Sequence, residues 1–380
     1  MVYDIIVLGA GINGLCTAYH LLRRKAGKIA VVDQFSLGHR RGSSHGMSRI
    51  TRSTYNTPKY VELIQTAHSE EWPRLSSHAK EAFLTPTEGY FFGPGNGAYL
   101  SSLSALPNKE SRVQVLDAPE ARRTLPSFRF PDSSLVIRDL TCSVVAASRA
   151  LAWLGQTVAQ KAQVLENCRV LRVQPGDREI LLHTDSKPLR CGRLVVTGGA
   201  WLGRLFPLLA PKIQVAHQDV GYFEIEGGRE FPVWVYCPGE GDPFYGLPEF
   251  GRPGVKVARH RVGAKNDDPD RPTAECIPSD ARDELEAFVA EQFAKPAVCI
   301  GYEPCLYTNT VNEDFILDHH PNDPRIVIGS ACSGHGFKFA PLTGRLLSEL
   351  LLDGKSTLET FEKYRAAFRI ATHQNWPTAG

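Results

Sequence analysis

The feature that most restricts what this chain can become lies between Tyr3 and Asp33. Tyr3-Asp-Ile-Ile-Val-Leu8 is a short apolar run without a helical period, and Gly9-Ala-Gly11-Ile-Asn-Gly14 follows it at once. Such a run reads as a buried parallel strand. Leu15, Ala18, Leu21 and Leu22 then recur at helical spacing as far as Arg24, and Lys28-Ile-Ala-Val-Val-Asp33 reads as a second strand ending in a carboxylate. In this frame of strand, glycine turn, helix, strand and acid, each part has a task. Gly9 permits the tight turn, Gly11 lets a pyrophosphate approach the backbone, Gly14 lets helix and sheet close, and the helix N-terminus offers free amides. Asp33, about twenty residues beyond the turn, is placed to accept ribose hydroxyls. The frame predicts dinucleotide binding. Its acid disfavours a 2′-phosphate and therefore NADP, while FAD and NAD both stay open.

The rest of the chain predicts where that unit ends. Gln65 to Trp72 and Ala150 to Ala162 read as helical, and Arg193-Leu-Val-Val-Thr197 is a third apolar strand running into Gly198-Gly199. Residues from about 80 to 145, and again from about 213 to 320, are rich in Pro, Gly and aromatic residues, with short alternating runs such as Val215 to Ile225. Arg325-Ile-Val-Ile-Gly329 gives a last apolar strand, followed by a helix from Gly344 to Leu352. The expected fold is α/β: a discontinuous Rossmann-type domain over 1–80, 146–212 and 321–380, and an α+β substrate domain with a large, mainly antiparallel sheet over 81–145 and 213–320. A dinucleotide domain interrupted by a sheet insert suits a flavoprotein better than a nicotinamide enzyme, by analogy of fold alone.

Composition excludes more than it selects. With 43 basic and 41 acidic residues, a net charge of +2, the chain has no field to draw in a polyanion, so nucleic acid is not an expected partner. No apolar run reaches the length of a bilayer span, and the N-terminus enters a strand without a signal-peptide pattern, so a cytoplasmic monomer without membrane contact is expected. Nine scattered cysteines, odd in number and with no CxxC pair, fit neither a metal knuckle nor a disulfide framework.

Three later segments gather chemistry. Gly42-Ser43-Ser44-His45-Gly-Met-Ser48-Arg49-Ile-Thr-Arg52 brings two guanidinium groups, an imidazole and several hydroxyls just past the second strand, a composition that holds anions. Ser333-Gly334-His335-Gly336-Phe337-Lys338-Phe339 sets a histidine and a lysine between a strand and a helix, and Cys305-Leu-Tyr307-Thr precedes them.

In wording and in order, these blocks resemble the monomeric sarcosine oxidase family, a branch of the D-amino-acid-oxidase-like FAD superfamily that includes N-methyltryptophan and pipecolate oxidases. The resemblance runs from Asp4 to about Leu352. It implies FAD as cofactor, held by Gly9, Gly11, Gly14, Asp33, Ser43, Ser44, Gly336, Phe337 and Lys338 and bonded through sulfur to Cys305. It implies a substrate carboxylate gripped by Arg52 and Lys338, with Tyr55 and Gly334 beside it. His45, Arg49, Tyr307 and His335 then line the catalytic cavity, and Lys265 stands where dioxygen is reduced; no metal is implied. The chain departs from the family pattern at Met47, Ser48 and Cys332, and in the basic run Arg259-His260-Arg261 before Lys265. These departures touch pocket walls, so they bear on which amine is taken more than on the reaction. The expected reaction converts a small secondary amino acid, N-methyl or cyclic, to an imine while dioxygen becomes hydrogen peroxide. Two rival expectations are a dehydrogenase on the same fold that feeds a quinone or carrier, and a dinucleotide-binding protein without turnover.

Overall fold

The computed structural model describes residues 2–104, 112–261, 268–271 and 278–377. The N-terminal apolar run forms the strand Val2–Leu8, which pairs in parallel with Ile29–Val32 on one side and Leu189–Val196 on the other. Strand alternation sends Ile5 and Val7 into one core and Ile6 and Leu8 into another, which Tyr3 also joins at the start of the strand. Both faces of the sheet are therefore covered, which is why the sequence shows a continuous apolar run rather than an alternating one. The helices Ile12–Arg23, Ala147–Ala159 and Ala340–Asp353 cover the first face. Asp323–Ser330 extends the sheet in parallel from Leu189–Val196, as its apolar sequence predicts.

The second eight-stranded sheet is antiparallel except where Gly89–Pro94 meets Val233–Tyr236. Its covered face is filled with aromatic rings, among them Phe92, Phe128, Trp234 and Phe293, closed by the helix Ser279–Gln292. Its two long strands, Ile213–Ile225 and Ala297–Thr310, pair along their whole lengths. The distal end of that ladder returns to the first sheet, where Val215 and Leu306 pack with Ala200 and Trp201. A small third sheet of Ser48–Thr51, Ser143–Ala146 and Leu84–Pro86 lies beside the cavity described below. The mixed α/β architecture with one parallel-centred and one antiparallel sheet is the one expected.

Some elements differ from the sequence reading. The helix expected over Gln65–Trp72 begins at Pro58 and continues to Ala79 through a π-helical turn, Ala67–Glu71. Its first turns were hidden by Lys59 and Glu62, which break the apolar run although Tyr60, Val61, Leu63 and Ile64 are buried. The strands Val170–Pro175 and Ile180–Thr184 form an unforeseen hairpin whose alternation is blurred, because Leu171 is 57% exposed on a side where a polar residue would be expected. Ile316–His320, at the end of the 213–320 segment, pairs with Asp323–Ser330 in the first sheet. Among the described residues, no helix is long and apolar enough to cross a membrane.

Candidate functional site

One cavity of about 980 Å³ runs from the glycine turn, along the loop 42–52, to the ends of the antiparallel strands. That is the upper range for small-molecule and cofactor sites.

At its first end, backbone does the work. Gly9 has a φ of +105°, and a Cβ on Gly14 would stand 1.8 Å from the Gly9 carbonyl oxygen, so only glycine lets the helix Ile12–Arg23 start against the strand. Gly14 thus packs behind the cavity, while Gly9 and Gly11 line it. Gly11, the residue before that helix, offers it no side-chain cap; Ile12 N donates to Ser44 Oγ at 3.0 Å, and the amides that follow in the first turn have no side-chain partner among the described residues. Asp33 accepts from Ala10 N at 2.7 Å and Phe35 N at 2.9 Å. A carboxylate has about four acceptor positions, so capacity remains for ribose hydroxyls. The donor set and the Cβ-free cradle fit the pyrophosphate and ribose of FAD.

In the middle of the cavity, the strand Ala297–Thr310 presents Glu303, Cys305 and Tyr307 on one face at every second residue. Burial pushes the Cys305 thiol up to about 11. Opposite lies the loop 42–49. Arg49 donates to the carbonyls of Ser48 and Ser43 at 2.9 Å and to that of His45, bracing the loop while its guanidinium lies over the Phe337 ring. Ser43 donates to Leu306 O. His45 Nε2 lies 2.8 Å from Pro304 O, so it carries the ring proton, and Nδ1 has no partner among the described residues. Burial and the adjacent Arg49 hold this imidazole down to about 4, hence neutral.

Lys256, which sequence reasoning passed over, also lines this section. It is 4% exposed, and its Nζ lies 3.4 Å from Ser48 O. Burial, then the charge of Arg49, bring its ammonium down to about 7. Glu303 is held by the Tyr222 hydroxyl at 2.8 Å; burial alone would raise its carboxyl, but that bond and the charges of Lys256 and Arg49 keep it below its usual value. The signal for Lys256 was available: a lysine inside the fully buried run Val255–Ala258 of a central strand.

At the far end the cavity is built from side chains that are distant in sequence. Lys338 is 6% exposed, and its Nζ donates to Tyr55 OH at 3.2 Å. Burial, reinforced by the charge of Arg52, pushes the ammonium well below its usual value. Arg52 lies over the rings of Tyr55 and Phe91, and its Nη1 is closed off from solvent with no hydrogen-bond partner among the described residues. Two acids interact with the charge of Arg52 without an ion pair to it, and both are engaged elsewhere: Asp139 accepts from Thr54 and Thr141, and the Glu313 carboxylate faces His260. Two cations buried without a carboxylate of their own form a site for an anionic ligand, which would favour the charged form of Lys338.

His335 and Gly334 complete this end. Gly334 has a φ of +68°, and a Cβ there would meet His260 Cε1 at 2.3 Å and Tyr307 Cε2 at 2.5 Å. Tyr307 OH lies 3.3 Å from Tyr245 OH, and His260 Nε2 lies 2.9 Å from Glu313 Oε1. Phe337 and Gly336 line the passage toward the glycine turn. Tyr245, Glu313 and Tyr99 line the cavity as well, although sequence reasoning gave them no role, and so does His260, from the basic run expected at the pocket wall. Lys265 lies outside the described residues.

A family model described as FAD dependent oxidoreductase matches residues 4–350. The peroxisomal sarcosine oxidase of Homo sapiens is 33% identical over 92% of this chain and 92% of its own length. The monomeric sarcosine oxidase of a Bacillus species is 30% identical over 93% of each chain. Among solved structures, the open form of NikD, an unusual amino acid oxidase essential for nikkomycin biosynthesis, superposes with a TM-score of 0.86 at 19% identity, covering 99% of this chain and 98% of that one.

Proposed function

This chain belongs to the FAD dependent oxidoreductase family, and on that footing we propose that it is an amine oxidase of the sarcosine oxidase type, acting on a small secondary amino acid. The observation that carries the reading is the pair Arg52 and Lys338, buried at one end of a FAD-sized cavity without a carboxylate partner. A small amino acid supplies the missing anion, and its fixed length then sets where its amine and α-carbon lie.

FAD, when bound, supplies the redox chemistry, taking a hydride equivalent from the substrate and delivering electrons to dioxygen. The chain supplies position and charge. Arg52 and Lys338 hold the carboxylate. Their positive field opposes a third cation nearby, so the substrate amine binds in its neutral, oxidisable form. Tyr307, Tyr245 and His260 wall the cavity and limit water around the reacting carbon. The product imine leaves and hydrolyses, and dioxygen becomes hydrogen peroxide. Lys256 puts a buried cation beside Cys305 and Arg49, where negative charge created by dioxygen reduction would be stabilised. This gives the described residues a candidate for the part assigned to Lys265 from sequence.

Residues 1–80, 146–212 and 321–380 serve in this reading as the cofactor unit, joined by the strand Ile316–His320, and 81–145 with the rest of 213–320 as the substrate unit. Cys305 carries the flavin through a thioether, a reading supported by its place on the cavity face between Glu303 and Tyr307. A monomer in the cytoplasm belongs to the same proposal; none of the eight described cysteines is in a disulfide, which suits a reducing compartment.

The test is anaerobic mixing of the purified holoenzyme with sarcosine, pipecolate, larger N-methyl amino acids, a glycated amino acid and simple amines. Bleaching of the flavin by secondary amino acids, with peroxide formed on admitting air, is the expected result. No bleaching by any amine contradicts the reading, and bleaching without peroxide in air favours a dehydrogenase. The same preparation precipitated with acid keeps its yellow colour if Cys305 bears the flavin, and loses it to the supernatant otherwise.

A further inference from the structure

Glu313 occupies the turn between the strands Ala297–Thr310 and Ile316–His320, in the left-handed region at a φ of +59°. Its backbone carbonyl lies 3.0 Å from His335 Nε2. A carbonyl only accepts, so Nε2 carries the proton and Nδ1 is left as an acceptor. Burial and the nearby Lys338 hold the imidazole down to about 3, which keeps it in this single neutral form around pH 7. Nδ1 lies 3.3 Å from Tyr55 OH, so Tyr55 donates there and turns its lone pairs toward Lys338, whose Nζ donates to it at 3.2 Å. Every bond in the series from Lys338 through Tyr55 and His335 to Glu313 O thus has a fixed direction. The ring cannot turn freely, because it is stacked on Phe315 at 4.6 Å between centroids and edged by Tyr60 and Phe339.

We infer that His335 is a positioning residue, locked in its Nε2–H form by the backbone carbonyl of Glu313, that aims Lys338 at the substrate carboxylate through Tyr55. The inference rests on the reading of Arg52 and Lys338 as a carboxylate clamp. It separates His335 from the reacting atoms: its loss disturbs where the carboxylate is held, not the oxidation of a substrate already in place. It also gives Glu313 two functions, its carbonyl serving His335 and its carboxylate serving His260.

Two pairs of holoenzyme variants test this. His335→Asn supplies an amide oxygen in place of Nδ1, and His335→Leu supplies no acceptor. Glu313→Asn and Glu313→Val both remove the carboxylate, but only the first accepts a positive φ readily, so only the second displaces the carbonyl. Each variant is titrated with acetate, read by the change in flavin absorbance, and its KM and limiting rate of anaerobic reduction are measured with the best amine. His335→Leu and Glu313→Val are expected to weaken acetate binding and raise KM by about tenfold, the scale for a buried polar group left unpaired. His335→Asn and Glu313→Asn should stay within about threefold of wild type, and limiting rates should hold within about threefold throughout.

Acetate binding to His335→Leu as tight as to wild type overturns the inference, as does equal damage in His335→Asn and His335→Leu, or a fall in limiting rate at unchanged KM. If His335→Leu does not fold, the Glu313 pair decides alone. Wild type that binds no acetate overturns the clamp reading and this inference with it, which distinguishes that failure from a failure confined to His335.

Discussion

In the proposed function the two ends of the cavity recognise anions by opposite means. At the glycine turn, uncapped helix amides and a Cβ-free cradle meet the ligand, and the parts that matter fall between Gly9 and Asp33. At the other end recognition is by side chains: Lys338 and Tyr55, which touch, are 283 residues apart, and the charge there is formal, buried and without a counterion. The first arrangement is fixed by backbone geometry and tolerates ligands sharing a pyrophosphate. The second depends on two long side chains being held in place by their neighbours. Cofactor binding should therefore fail through sterics, and substrate binding through charge and alignment.

The largest expected effect breaks the first end alone. Gly14→Val forces a Cβ to within 1.8 Å of the Gly9 carbonyl oxygen, where neither backbone can give. Overpacking of this kind costs about 3 kcal/mol or more, so colourless or unfolded protein is expected, checked by flavin content and a thermal melt. A yellow, stable Gly14→Val protein would show that the turn is not the cofactor cradle.

Next in size is the far end. Lys338→Met should lower flavin content far less than Gly14→Val while weakening carboxylate inhibitors by about 2–5 kcal/mol, at least thirtyfold, through loss of one partner of a desolvated charged contact. Arg52→Gln should act in the same direction. Loss of flavin from either variant, with carboxylate affinity intact in what remains, would erase the contrast between the two ends.

The middle of the cavity sharpens the comparison. Lys256 is cationic below about 7 and neutral above it. A step that its charge assists must slow as pH rises through that value and be fastest on the acid side. In Lys256→Met, the oxidative half-reaction in stopped flow should be slower by about 10²-fold at acid pH and should lose that pH dependence, with reduction by substrate far less affected. Equal slowing of both halves would mean that Lys256 acts only on structure.

The contrast also accounts for what could be read from sequence. Gly9, Gly11 and Asp33 were legible because backbone sites impose spacing on a short stretch of chain, and the parallel strands because burial on both faces leaves continuous apolar runs. Arg52, Tyr55, His335 and Lys338 were legible through the resemblance, which also implied that Arg52 and Lys338 meet; residue types and spacing alone carry no sign of a contact such as that between Lys338 and Tyr55. Glu313 gave no sequence sign, since what it contributes is a carbonyl direction set by a positive φ. Lys256 showed only as one charge in an apolar strand, and its value depends on Arg49 and Cys305 from other elements. The hairpin Val170–Thr184 escaped notice because its exposed leucine breaks the expected alternation.

The central claim is that Arg52 and Lys338 bind the carboxylate of an amino-acid substrate. The most direct test compares, in anaerobic reduction of the flavin, the best secondary amino acid with its carboxamide, which keeps the size and the amine but removes the charge. The account predicts that the amide reduces the flavin with at least about thirtyfold lower apparent affinity, the scale set by losing one side of a buried charged contact. Equal affinity for acid and amide would contradict it.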